Sequence, residues 1–353
     1  MRWTLVVPGA LVPAPIAADV IAAARAPHLA RLIARARIDA PQPASTATLG
    51  AAHWGWLWQR FAGRDDVPVT APAAWHALDA SDRLGDADPG TLWQAEPIHF
   101  AVARDHMLAL PLTDADALDP AESATLVATA QSCAHAAGAQ VHILDNHWFM
   151  RFDAPWQLQA APLDVALAAS IQDRLPQGAD RARWRRLLTE IQIAWHHHAV
   201  NAAREERGAR AVNGLWLHGG GRLPALPPCG LTQVACDEPA VRGWARAAGV
   251  PPVSVATLAS ELVPHGDALA VWPHLFAACK ADAWHPWLAA LAAFDAWLAP
   301  LAQRGQAAGA QIELVLCGRT QTRSIVINGA DRWRRWRQAD LASTVGEPPL
   351  EAM

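Results

Sequence analysis

Trp3-Thr4-Leu5-Val6-Val7 is a short apolar run with β-branched residues, closed by Pro8-Gly9: the pattern of a buried strand and a turn. Its neighbours in sequence are helical. Ile16 to Ile38 places Leu29, Leu32 and Ile33 on one face and Arg25, Arg31 and Arg35 off it. Thr46 to Phe61, with His53-Trp54-Gly55-Trp56-Leu57-Trp58, reads as a helix packed by its tryptophans, a ligand-stacking platform being the minor reading. The first strand must therefore find partners far along the chain. From Asn213 onward short strands alternate with helices: Leu215–Leu217, Thr232–Ala235, Leu269–Trp272, Ile312–Cys317 and Ser324–Ile327 with Pro239–Ala248 and Trp284–Gln303. That alternation belongs to a mainly parallel sheet covered by helices on both faces. Pairing the first strand with these late ones makes the intervening chain an insertion.

The inserted segment has its own pattern. Ile98–Ala103 and His106–Leu110 read as two strands, Pro120–Ala137 as a helix with Asp119 as N-cap and Gly138 closing it. Gln140–Leu144 and Trp148–Phe152 are a second pair of strands, giving a β-β-α-β-β unit of α+β type. Leu163–Leu175 and Arg181–Arg207 read as helices, and Gly63–Gly90 as loops at a domain junction. The boundaries expected are a core of residues 1–62 and 196–345, with 63–195 inserted. A chain of 353 residues holds about two domains at ~150 residues each.

Composition excludes several chemistries. With 52% hydrophobic and 18% charged residues the chain can bury a sizeable core. A net charge of −4 argues against nucleic-acid or membrane-surface binding. There is no tyrosine, so no tyrosine nucleophile, and the single lysine, Lys280, stands in no Walker A motif. Cys133, Cys229, Cys236, Cys279 and Cys317 are odd in number and widely spaced, which indicates neither a disulfide framework nor a zinc ribbon. The expected location is cytoplasmic, since Pro8-Gly9 interrupts the only signal-like run and no stretch reaches ~20 apolar residues. Asp331 to Arg337 mixes arginine with Trp333 and Trp336; a packed amphipathic C-terminal helix is favoured there over a nucleic-acid site.

The most distinctive stretch runs from His196-His197-His198 through Asn201, Arg204, Gly208 and Asn213 to His218-Gly219-Gly220-Gly221-Arg222. Three successive glycines free backbone N–H groups for an anion nest, with Arg204 or Arg222 to supply charge, although a structural glycine turn has the same pattern. Asn201 and Arg204 stand at i and i+3 on one helix face. The segment resembles the motif H-P-V-N-x-x-R-x-x-x-G-x(4)-N-x-x-W-x-W-G-x-G of cofactor-independent, archaeal-type phosphoglycerate mutases. His198, Val200, Asn201, Arg204, Gly208, Asn213, Trp216, Gly219 and Gly221 fall on it without a gap. Ala199 replaces its proline and His218 its second tryptophan. The match covers residues 195 to 250, and the length and tryptophan-rich texture are similar to bacterial regulatory proteins of the RpfE type. The resemblance implies an alkaline-phosphatase-like α/β core, a mainly parallel sheet with helices on both faces, plus an inserted α+β domain.

The departures matter as much. The resemblance implies two divalent metals held by Asp and His at strand ends, with a Ser or Thr nucleophile. Here Pro8-Gly9 stands where the first Asp belongs, and Cys317-Gly318-Arg319 where an Asp-His pair belongs. Ser45, Thr46 and Thr48 lie in the region of the nucleophile, and no motif singles one out. The expectation is therefore a regulatory protein without metal or cofactor that binds a small anionic ligand or a protein partner. Asn201, Arg204, Asn213, Gly219, Gly220, Gly221 and Arg222 are its candidate ligand-binding residues. The alternative is an active metal-dependent phosphoglycerate mutase or phosphatase using His274, Asp282 and His285, the last two sharing a helix face at i, i+3.

Overall fold

The computed structural model describes residues 1–44, 48, 50–63, 91–103, 106–144, 146–160, 163, 175–220, 225–260, 266–328 and 340–349. Gly63–Gly90 beyond its first residue, nearly all of the stretch Leu163–Leu175, and the stretch Asp331–Arg337 lie outside these residues, as do Ser45, Thr46, Gly221 and Arg222. The chain divides into two compact units, Met1–Val67 with Ala225–Met353, and Pro68–Pro224. Strands are numbered along the chain. The first unit opens with β1 (Arg2–Pro8), β2 (Val12–Pro13), β3 (Arg37–Ile38) and β4 (Gln42–Pro43). The second holds β5 (Leu92–Ala103), β6 (His106–Pro111), β7 (Ala139–Leu144), β8 (His147–Phe152) and β9 (Gly214–His218). The first unit resumes with β10 (Gln233–Ala235), β11 (Pro252–Val253), β12 (Ala268–Val271), β13 (Gln311–Cys317), β14 (Gln321–Ile327) and β15 (Gly346–Glu347).

The first strand finds its partners where the pattern requires. In the order β11-β10-β12-β1-β13-β14-β3, β1 lies between two late strands, Val6 opposite Val271 on one edge and Val315 on the other. The strands from β11 to β13 are parallel; β14 turns back antiparallel on β13 and pairs with both β3 and β4, so the sheet is mixed. Trp3 to Pro8 are all buried, which is why β1 is continuously apolar rather than alternating. The helix Trp284–Ala307 contributes Trp287, Leu291, Phe294, Leu298 and Leu301 to this core at helical spacing.

Two long helices expected from periodicity are each divided. Ile16–Ile38 becomes Ala14–Ala22 and Pro27–Arg35, followed by β3. Pro27 lacks the N–H that a continuing helix would use and sits near the start of the second, whose Leu29 amide is capped by buried Asp295 at 2.6 Å. Arg181–Arg207 becomes Arg181–His196 and Ala199–Glu206, with the His198 ring accepting from the Val200 amide as N-cap. The three histidines are thus a helix junction.

In the second unit, hairpins β5–β6 and β7–β8 flank the helix Pro120–Ala136 as the β-β-α-β-β pattern predicts. Asp119 and Glu122 form a reciprocal capping box, bonding each other's amides at 2.7 and 3.2 Å. One assignment needs correction. β9 joins no parallel sheet: it runs antiparallel to β5, Gln94 opposite His218 through Ile98 opposite Gly214. The boundary expected after residue 195 falls after Pro224, and the distinctive segment belongs to the second unit.

Candidate functional site

In open α/β sheets ligands sit beyond the carboxyl ends of the parallel strands, because loops there converge on a crevice. In the first unit those ends are Pro8-Gly9, Cys236 to Glu238, Trp272 to His274 and Cys317 to Arg319. At the end of β1, Gly9 has φ +74°, and a Cβ there would lie 2.6 Å from the Phe276 Cα and 2.8 Å from the Leu275 carbonyl. Its own carbonyl accepts from the Trp287 indole at 2.7 Å. The position where the resemblance places an Asp ligand is filled by backbone of the β-α connection after β12.

The end of β13 is closed differently. Glu347, from the C-terminal strand β15, places its carboxylate in the β13–β14 turn. It accepts from the amides of Arg319 at 3.1 Å, Thr320 at 2.7 Å and Gln321 at 3.0 Å, and from the Thr320 hydroxyl at 2.8 Å. Successive amides pointing at one anion form a nest, and the chain supplies its own anion. A Cβ on Gly318 would stand 2.5 Å from that carboxylate, so no side chain fits beside it. Arg319 donates to Asp282 at 2.6 Å and to the Cys279 carbonyl at 2.5 Å.

This arrangement corrects the alternative metal set. Asp282 is not on the helix with His285: it precedes it, at φ +52°, and is paired with Arg319. His274 packs edge-on to Trp272 at 4.7 Å. Among the described residues no three His, Cys, Asp or Glu side chains group as a metal site. Burial pushes the thiols of Cys236, Cys279 and Cys317 up, which makes them poor nucleophiles and poor ligands at neutral pH. All five cysteines are free. Thr48 is buried and lies against Gly55.

Sequence reasoning passed over His53. On the helix Ala52–Ala62 its ring lies 4.6 Å from Phe276 and 5.1 Å from Trp54, and Nδ1 has no hydrogen-bond partner among the described residues. Desolvation lowers its pKa from 6.5 to about 3, so the imidazole is neutral over the ordinary pH range. Trp54, half-buried, and Trp58, fully buried, both pack against Trp244, at 5.7 and 5.3 Å. A lone histidine in a tryptophan-rich helix gives no signal of either placement.

The distinctive segment is assembled into the second unit's interior. Asn201, 3% exposed, donates to the carbonyls of Trp195 and Val212 and accepts from the Val212 amide, each at 2.8 Å. Arg204 is 0% exposed and donates to Glu122 at 2.9 Å, the Asp116 carbonyl at 2.5 Å and the Arg210 carbonyl at 2.8 Å. Glu122 takes a second arginine, Arg207, at 2.7 Å. The Arg210 amide, and then the Thr113 hydroxyl, hold the Asp116 carboxyl below its usual range. Asn213 clasps Phe100, accepting from its amide at 2.6 Å and donating to its carbonyl at 2.9 Å. His218 meets Glu96 at 2.6 Å. Gly219 has φ +68°, and a Cβ on Gly220 would strike the Trp93 ring at 2.0 Å. The expected shared face of Asn201 and Arg204 exists, but it faces the fold. Their burial contradicts an accessible anion site at these two residues, and Asn213 is spent on β5.

No family model and no curated protein matches the sequence. Among solved structures the chain resembles the PH0037 protein from Pyrococcus horikoshii, with a TM-score of 0.64 and 14% identity over 98% of this chain and 93% of that one. At that identity the likeness is one of fold. A cofactor-independent phosphoglycerate mutase from Thermoplasma acidophilum aligns over 98% of this chain and 95% of its own at 15% identity, with a TM-score of 0.48. The described residues include no helix long and apolar enough to cross a membrane.

Proposed function

We propose that this chain is a scaffold of the phosphoglycerate-mutase-like kind that its 195–250 segment resembles, regulatory as its length and tryptophan-rich texture suggest, and that it acts by binding a small anion or a protein partner rather than by two-metal phosphoryl transfer. The supporting observation is the packing at two strand ends. Hard divalent ions want carboxylate oxygens. Gly9 and Gly318 stand where such ligands belong, and the first is packed against the Leu275–Phe276 backbone while the second abuts the Glu347 carboxylate. Neither position takes an acidic side chain without moving main chain or expelling Glu347.

The test is turnover of 2- and 3-phosphoglycerate and of p-nitrophenyl phosphate by the full chain, with and without manganese or zinc. The reading expects rates equal to the buffer blank in every condition. Turnover that a chelator abolishes and added metal restores would overturn it.

A further inference from the structure

A cavity of about 650 Å³ opens in the second unit between the β5–β6 hairpin and the helix Arg181–His196, within the size range of small-molecule sites. Its apolar wall is Phe100, Met107, Leu175, Pro176, Trp184 and Leu188. Its polar groups are Arg185, Thr189 and Gln192, at i, i+4 and i+7 along the helix, so they form one stripe.

Arg185 is the informative member. The first half of this helix carries Arg181, Arg183, Arg185 and Arg186, although cations near a helix N-terminus oppose its dipole. Two of them are compensated nearby: Arg183 pairs with Asp180 at 3.1 Å and lies over the Trp156 ring at 4.6 Å, and Arg186 pairs with Glu190 at 3.0 Å. Arg185 has no ion pair among the described residues; its carbonyl accepts from Thr189, and its side chain is at the cavity. A permanent planar cation beside an aromatic and aliphatic wall complements an anion with an apolar body.

The distinctive segment also shapes this cavity. Asn213 fixes the Phe100 backbone on both sides. Gly214 leaves the room that the Phe100 ring uses, since a Cβ there would lie 2.3 Å from the ring. Asn213, which reads in sequence as a ligand contact, thus acts one step back, positioning a wall of the cavity.

We infer that this cavity binds an amphiphilic monoanion, an elongated apolar body carrying one carboxylate held by Arg185 and Gln192. The inference rests on the binding reading above only for its expectation of an anion, and it concerns the other unit. Isothermal titration of the full chain with octanoate, octanol, octylamine and inorganic phosphate tests it. Octanoate is expected to bind at one site, octanol about tenfold more weakly, and octylamine and phosphate not at all. Arg185→Ala, at an exposed position, should bring octanoate to the level of octanol and leave octanol unchanged; Arg185→Lys should recover part of the difference. Absence of octanoate binding, equal affinity for octanoate and octanol, or an Arg185→Ala protein that binds octanoate as before would each overturn the inference. None of those results bears on metal-dependent turnover, so failure here and failure of the proposed function are distinguishable.

Discussion

Removing the Arg204 guanidinium should unfold the second unit more easily rather than weaken any ligand. Arg204→Ala leaves Glu122 with Arg207 as its one cationic partner among the described residues, and Arg207 is about half exposed where Arg204 is fully buried. It also strips a donor from the carbonyls of Asp116 and Arg210 and leaves a void the size of the lost side chain. Breaking a buried pair by deleting one partner costs about 3–5 kcal/mol, and the orphaned carbonyls place the expectation near the middle, about 4 kcal/mol. Arg204→Lys keeps charge but reaches fewer of the three partners, so about half that loss is expected. With two compact units a single unfolding transition is not assured. The assay is therefore native-state hydrogen exchange read by segment, with urea midpoints alongside. Protection should fall across residues 116–126 and 199–217 and stay unchanged in β1, β12 and β13. A variant within about 1 kcal/mol of the parent would refute a structural role for Arg204.

Two further outcomes follow from the same geometry. Glu347→Ala removes the acceptor of three turn amides and should lower first-unit stability by about 3 kcal/mol, Glu347→Gln by less because one oxygen remains; urea midpoints check this, and unchanged midpoints count against the closed turn. His53 supplies a pH dependence. Its folded pKa lies near 3 against 6.5 when exposed, so below pH 6.5 the unfolded chain takes up a proton that the folded chain refuses. Its contribution is full above pH 6.5 and falls by about 1.4 kcal/mol per unit as pH drops toward 3. The difference in unfolding free energy between parent and His53→Leu should show that slope, and a difference independent of pH would contradict the buried neutral imidazole.

Much of the fold is legible because its signals are local or forced. The apolar run Trp3–Val7 had no near partner and had to pair with the late strands, and Asp119 and Glu122 spell a capping box at the right spacing. What failed was partner choice. Leu215-Trp216-Leu217 is apolar enough for either sheet, and a four- or five-residue strand carries no information about which edge it joins; β5 won. The site was misread for a related reason. Polar residues beside a glycine turn look alike whether they face a ligand or a carbonyl, and Asn201, Arg204 and Asn213 face carbonyls and a carboxylate. The Glu347 seat was illegible because β15 reaches the turn through tertiary packing, Glu347 standing 26 positions after Gln321.

The closure of the β1 and β13 ends is tested most directly by titrating manganese into the chelator-treated full chain and following heat. Gly9 and Gly318, packed against backbone and against Glu347, offer no carboxylate to the ion, so only weak, unsaturated heats are predicted, unchanged in Glu347→Ala. A saturable isotherm with two sites per chain would contradict that closure and return the chain to the metal-dependent enzymes.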